Sequence, residues 1–183
     1  MEVIRTLALS GSLREASYNT AAIEVMQVLF PDNIEIDICS IGDLPLFNPD
    51  REGERIPSLD KLVQALRNSD GLIIASPEYA HGVSGPMKNA LDWLISGVDF
   101  PDKLIMFINT SPRASHAQES LREILKTMSG IVVEEASVSI PLLSTDLNVS
   151  GIVKNIKISN ALMTGLKKFG AEIERQKLNK HVN

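Results

Sequence analysis

Val3-Ile4-Arg5-Thr6-Leu7-Ala8-Leu9 is followed by Ser10-Gly11-Ser12-Leu13-Arg14-Glu15-Ala16-Ser17-Tyr18-Asn19-Thr20 and then by Ala21-Ala22-Ile23-Glu24-Val25-Met26-Gln27-Val28-Leu29-Phe30. The first block reads as a parallel strand buried on both faces. The last reads as a helix. Between them lies a hydroxyl-rich loop with one arginine. A helix N-terminus presents unpaired N–H groups and a positive partial charge, which suits a phosphate. Ser10, Ser12, Ser17 and Thr20 add hydroxyl donors, Asn19 adds an amide, and Arg14 adds a permanent charge on a planar fork. Neither G-x-x-x-x-G-K-[ST] nor G-x-G-x-x-G occurs here. A phosphate held by hydroxyls, an amide and an arginine points to a mononucleotide, with flavin mononucleotide (FMN) first among candidates. The plainer alternative is an ordinary cap, with Ser17 or Asn19 closing the first helix.

The same alternation continues along the chain. Apolar runs at Ile4–Leu9, Ile34–Cys39, Gly71–Ala75, Leu104–Ile108 and Val132–Val138 are bounded by Ser, Pro, Asn and Gly. Helical segments are predicted near Asn19–Phe30, Ser58–Asn68, Gly85–Ile95, Ala114–Met128 and Gly151–Lys177. Leu59, Leu62, Val63 and Leu66 form one stripe, with Ser58 as the expected N-cap. Strands alternating with helices predict an α/β fold of three layers around a parallel sheet. For five strands ordered 2-1-3-4-5, ligands bind beyond the carboxyl ends of strands one and three, where the order reverses. The loops Ser10–Thr20, Ser76–Ser84 and Asn109–Ala114 are therefore expected to converge. The charged, proline-broken segment Gly42–Pro57 is either a cover for that site or a solvated connection.

Composition narrows the function classes. The 183 residues predict one domain, with the tail from about Arg175 to Asn183 frayed. Apolar content of 44% and charged content of 22% are those of an ordinary globular chain. A net charge of −5 argues against nucleic acid and anionic membrane as partners. Cys39 is the sole cysteine, which excludes an internal disulfide and a cysteine zinc site. His81, His116 and His181 lack metal-ligand spacing, so no metal is expected. No signal peptide or membrane span is evident, and the cytoplasm is the expected compartment.

The second loop, Ser76-Pro77-Glu78-Tyr79-Ala80-His81-Gly82-Val83-Ser84-Gly85-Pro86, follows the third strand and suits close approach to a flat ring. It leads into Met87-Lys88-Asn89-Ala90-Leu91-Asp92-Trp93-Leu94. Gly11-Ser12-Leu13-Arg14 with Ser17 and Asn19, together with Pro77-Glu78-Tyr79, Gly85-Pro86 and Lys88-Asn89-Ala90-Leu91-Asp92-Trp93, resembles the NADPH-dependent FMN reductase family of flavodoxin-like proteins. That resemblance implies a cofactor, FMN, whose phosphate is held by Ser12, Arg14, Ser17 and Asn19, with Thr20 beside them. It implies that Pro77, Glu78, Tyr79 and Ala80 line the flavin ring, with His81 close by and Ser111 contributed by the third loop. Many relatives carry asparagine at the position of Ala80, and many have a glycine-rich third loop where this chain has Ser111-Pro112-Arg113.

The activity so implied is hydride transfer from NADPH or NADH through FMN to a small-molecule acceptor such as free flavin or a quinone. No side chain is required as acid or base, because the cofactor carries the chemistry. A homodimer or homotetramer is also implied. The competing expectations are a flavodoxin-like electron carrier and a flavin-binding regulatory protein without NAD(P)H turnover. Met87 and Trp93 are expected in the core or at a subunit contact, and Cys39 as a strand residue without redox duty.

Overall fold

The computed structural model describes residues 3–29, 33–113, 115–143, 145 and 148–182, with side chains through residue 179. Phe30, Ala114 and Asn183, which the sequence reading places at element ends, lie outside the described residues, as does the His181 side chain. The elements are β1 (Ile4–Ser10), α1 (Tyr18–Val28), β2 (Ile34–Cys39), α2 (Pro57–Arg67), β3 (Gly71–Ala75), β4 (Glu78–Tyr79), β5 (Gly82–Val83), α3 (Gly85–Leu94), β6 (Leu104–Asn109), α4 (His116–Thr127), β7 (Ile131–Val132), β8 (Val138–Ser139), α5 (Val149–Lys154) and α6 (Ile156–Val182).

The central sheet is parallel, ordered β2-β1-β3-β6, with β7 and β8 both paired to the outer side of β6. The expected 2-1-3-4-5 order therefore holds, with β6 as fourth strand and β7 plus β8 in the fifth place. The run Val132–Val138 does not form one strand. Glu134 and Glu135 sit at its middle, and consecutive strand residues point to opposite faces. Both faces of this sheet are covered by helices, so a continuous strand would bury a carboxylate. A turn after Val133 exposes both glutamates, and the Ser137 hydroxyl replaces a ladder acceptor for the Phe107 N–H at 3.1 Å.

Alternation along the strands divides the core in two. Ile4, Ala8, Ile73 and Met106 face α1, α5 and α6, packing with Ile23, Met26, Leu162 and Phe169. Leu7, Leu9, Leu72, Ile74 and Phe107 face α2, α3 and α4, packing with Leu62, Leu66, Leu91 and Leu121. All five residues of β3 are buried, as expected of a central strand covered on both sides.

Three local expectations are corrected. Ser58 does not cap α2: Ile56 is the cap residue, Pro57 opens the helix, and the Ser58 hydroxyl donates to the Asp43 carbonyl at 3.1 Å. The predicted helix Gly151–Lys177 is broken at Asn155, whose side chain accepts from the Ile158 N–H at 3.2 Å and starts α6. The tail does not fray from Arg175: α6 runs to Val182, and Arg175 grips Glu172 one turn back with bonds of 2.8 and 2.6 Å.

The segment after β2 is pinned rather than free. Asn89 accepts from the Phe47 N–H at 2.8 Å and donates to the Pro45 carbonyl at 3.0 Å. Trp93 donates to the same carbonyl at 2.8 Å and packs edge-on against Phe47, 5.1 Å between ring centres. Buried Trp93 thus fastens this segment to α3, while Met87 and Cys39 are buried in the core. No described helix is long and apolar enough to cross a membrane.

Candidate cofactor cleft

The carboxyl ends of β1, β3 and β6 open into one cleft of about 160 Å³. Its walls come from the loop after β1 and the first turn of α1 (Ser12, Arg14, Ser17, Tyr18, Asn19), from the loop after β3 (Ser76, Pro77, Glu78, Tyr79) and from the end of β6 (Asn109, Thr110, Ser111). The three loops named from sequence converge, as the topological switch between β1 and β3 requires.

The end at α1 is built of donors. Ser12, Ser17 and Asn19 are all buried. Ser17 is the N-cap, and its hydroxyl accepts from the Thr20 N–H at 3.3 Å. Asn19 accepts from the Thr110 hydroxyl at 3.2 Å, which occupies the carbonyl side of its amide and leaves the NH₂ group for the cleft. Arg14 is exposed, and neither Glu15, Glu24 nor any other described residue pairs with its guanidinium. The plain cap does not exhaust this turn: Ser17 closes the helix while its neighbours line the cleft.

Gly11 is what lets the first two loops meet. A Cβ at this position would lie 2.4 Å from Ser76 Oγ and 2.8 Å from Ser84 Oγ, closer than atoms can approach. Ser84 then ties the loops together by donating to the Gly11 carbonyl at 2.7 Å.

The loop after β3 is a hairpin, β4 paired antiparallel to β5, with Ala80 and His81 as its two turn residues. Both have left-handed backbones, φ 49° and 59°. A two-residue turn of this hand suits strand twist but prefers Asn and Gly, so Ala80 and His81 carry strain. They stand at the hairpin tip and do not line the cleft, and the Thr20 hydroxyl turns to Ser10 Oγ at 2.9 Å instead. Tyr79 is 52% exposed at the rim, so it is not a core packing residue.

Glu78 joins the second loop to the third. One carboxylate oxygen accepts from the Ala117 N–H at the start of α4, 2.9 Å, and the other bonds His81 Nδ1 at 3.1 Å. The Ala117 N–H foremost, then His81, holds this carboxyl below the usual glutamate range. His81 in turn packs edge-on against His116, 4.6 Å between ring centres.

Sequence reasoning did not single out Ala16, Tyr18, Ser76, Asn109, Thr110 or Leu143, all of which line the cleft. Ser76, Asn109 and Thr110 had one usable signal, their place at or just after a strand's carboxyl end. Leu143 had none.

The residues present fit FMN at the phosphate end, where buried donors, a helix N-terminus and an unpaired arginine meet with no carboxylate among them. The family model for NADPH-dependent FMN reductases matches residues 4–143. The chain is 31% identical over 142 residues to a quinone reductase of Escherichia coli K12, covering 73% of this chain and 76% of that protein. It is 37% identical over 91 residues to an NAD(P)H-dependent FMN reductase of Pseudomonas aeruginosa, a match spanning 49% of each chain. In fold it resembles a flavoenzyme NAD(P)H:(acceptor) oxidoreductase of Paracoccus denitrificans, with TM-score 0.82 at 24% identity over 94% of this chain and 98% of that one. A flavodoxin-like sheet, a donor-lined cleft at its switch point and a family match across 4–143 lead to one placement: the chain belongs to the NADPH-dependent FMN reductase family.

Proposed function

We propose that this protein is an FMN-dependent NAD(P)H oxidoreductase acting on a small acceptor such as free flavin or a quinone. The observation that carries the reading is the α1 end of the cleft: buried Ser12, Ser17 and Asn19 line it, and Arg14 stands beside them with no partner for its guanidinium among the described residues. When bound there, FMN supplies the hydride and electron chemistry. The chain's own residues supply position and charge. Arg14 and the first turn of α1 balance the phosphate dianion, and Thr110 fixes Asn19 with its donors outward. Pro77, Glu78 and Tyr79 line the side of the ring, with Ser111 opposite from the third loop. Ala80 and His81 shape that wall through the turn rather than by side-chain contact. Glu78 is a clamp, since both its oxygens are engaged in holding the second loop on α4.

We further place the protein in the cytoplasm, where NAD(P)H is available and a reduced buried thiol such as Cys39 is the norm. A homodimer or homotetramer is supported by exposed Leu13, Leu46 and Tyr79 in loops at the carboxyl end of the sheet, which is the cleft end. Light scattering on the purified protein tests the assembly. For the activity, anaerobic mixing of the FMN-loaded protein with NADH or NADPH bleaches the flavin absorbance, and adding a quinone or free flavin restores it. Flavin that stays oxidised under both nucleotides refutes the reading.

A further inference from the structure

The hairpin that walls the cleft is fixed at its base and latched at its tip. At the base, Ser84 donates to the Gly11 carbonyl at 2.7 Å, and Val83 packs against the core. Tyr79, at the cleft rim, stands directly before the turn. The far side of the hairpin rests on α4.

Helix α4 lacks a cap of its own. Its cap residue, Ser115, has helical backbone, and its side chain bonds no N–H of the first turn. Glu78 supplies the missing acceptor from 39 positions away, through the 2.9 Å bond to the Ala117 N–H. A carboxylate there also meets the positive end of the helix dipole. Only 13% of the Glu78 side chain is exposed, and its second oxygen is taken by His81 Nδ1 at 3.1 Å. His81 rests edge-on against His116, the first residue of α4, but is itself 77% exposed. The largely buried carboxylate is therefore the stronger tie.

This latch answers a problem set by the turn. Ala80 and His81 both have left-handed backbones, which Asn and Gly adopt readily and these residues do not. The ladder that closes the turn has only two residue pairs, Glu78 with Val83 and Tyr79 with Gly82. So short a hairpin does not hold a disfavoured turn unaided. Strained residues persist where surrounding contacts over-determine them, and here the contact to α4 does so.

We propose that Glu78 is a positioning residue for the flavin ring: by capping α4 from the opposite loop, it holds the strained Ala80–His81 turn, and with it Pro77 and Tyr79, in place against the cleft. Since α4 follows the loop that carries Ser111, the same bond makes the two walls hold or loosen together. The assignment rests on the FMN reading above, while the latch itself is measurable without flavin.

The test compares the full chain with Glu78→Ala, Glu78→Gln, the turn variant Ala80→Asn/His81→Gly, and that turn variant combined with Glu78→Ala. Hydrogen exchange at the hairpin amides reads the latch, and titration with FMN and with riboflavin reads the ring site. Glu78→Ala is expected to speed exchange and to weaken both flavins by the same factor, about three- to thirtyfold, because the wall is in place less of the time. The visible band of the bound flavin should shift with it. Glu78→Gln, whose amide oxygen still accepts from the Ala117 N–H, is expected to keep affinity within about threefold. In the Asn-Gly background the turn forms unaided, so removing Glu78 should cost less than about threefold. An equal loss in both backgrounds overturns the proposal, as does a loss confined to FMN, which would put Glu78 at the phosphate. If Glu78→Ala does not fold, the turn variant with intact Glu78 decides: slower hairpin exchange than in the unmodified protein supports the strain, and exchange no slower overturns it. Flavin affinity and band indifferent to Glu78→Ala overturn the positioning role and leave the FMN reading intact. Unmodified protein that binds neither flavin overturns both.

Discussion

Arg14→Ala separates cofactor binding from folding with unusual clarity, because nothing in the fold depends on this guanidinium. It is exposed and unpaired among the described residues, so its removal breaks no ion pair and opens no cavity. Stability is expected to change by less than about 0.5 kcal/mol, as for an ordinary surface substitution. Against a phosphate dianion the same group makes a charge-assisted hydrogen bond worth about 1.5–3 kcal/mol. Exposure to solvent and salt places the effect in the lower half of that range. The expected result is a loss of FMN affinity of about ten- to fortyfold at low ionic strength. Riboflavin has the same ring and no phosphate, so its affinity is expected to be nearly unchanged. Fluorescence titration of both ligands against both proteins gives the comparison directly, and added salt should shrink the difference for FMN alone. An equal loss for riboflavin, or a lowered melting temperature, would mean that Arg14 serves the loop rather than the phosphate.

Three further outcomes are expected. His81→Ala and Glu78→Gln, each still loaded with FMN, slow flavin reduction by less than about tenfold in stopped-flow traces, because neither acts as an acid or base in that half-reaction; a hundredfold slowing in either refutes this. Ala80→Asn relieves a left-handed alanine at the hairpin tip and raises stability by about 1 kcal/mol, or about 2–4 °C in Tm, measured by differential scanning calorimetry. Glu78, Glu134 and Glu172 are held below their ordinary value of 4.5, Glu78 by the Ala117 N–H, Glu134 by Arg122 and Glu172 by Arg175. Their folded pKa values lie below the unfolded ones, so their contribution is complete above about that pH and is lost as pH falls through the folded values. Urea midpoints should therefore drop as pH falls below about 4.5, and Glu134→Gln should make the drop shallower; an unchanged slope in that variant contradicts the assignment.

The sheet was legible in its strand runs: Gly71–Ala75 coincides residue for residue with β3, which is buried on both faces, and Ile34–Cys39 with β2, an edge strand whose Glu35 and Asp37 lie exposed between apolar residues. The cleft wall at α1 was legible because its residues are neighbours in sequence. Ser12, Arg14, Ser17 and Asn19 fall within one loop and one helical turn, so a local pattern contains them all. The fifth strand failed because apolar content alone does not show that both faces are covered, and that cover is what forbids Glu134 and Glu135 inside a strand. The frayed tail failed because Arg175 reads as solvated until α6 sets it one turn from Glu172.

Contacts distant in sequence belong to the tertiary structure. Thr110 fixes Asn19 across 91 positions, Glu78 reaches the N–H of Ala117 across 39, and Ser84 bonds Gly11 across 73. Periodicity and capping are properties of a few neighbouring residues and survive in the bare sequence. Which donors are already occupied, and which are left facing a ligand, depends on chain segments that only the parallel sheet brings together.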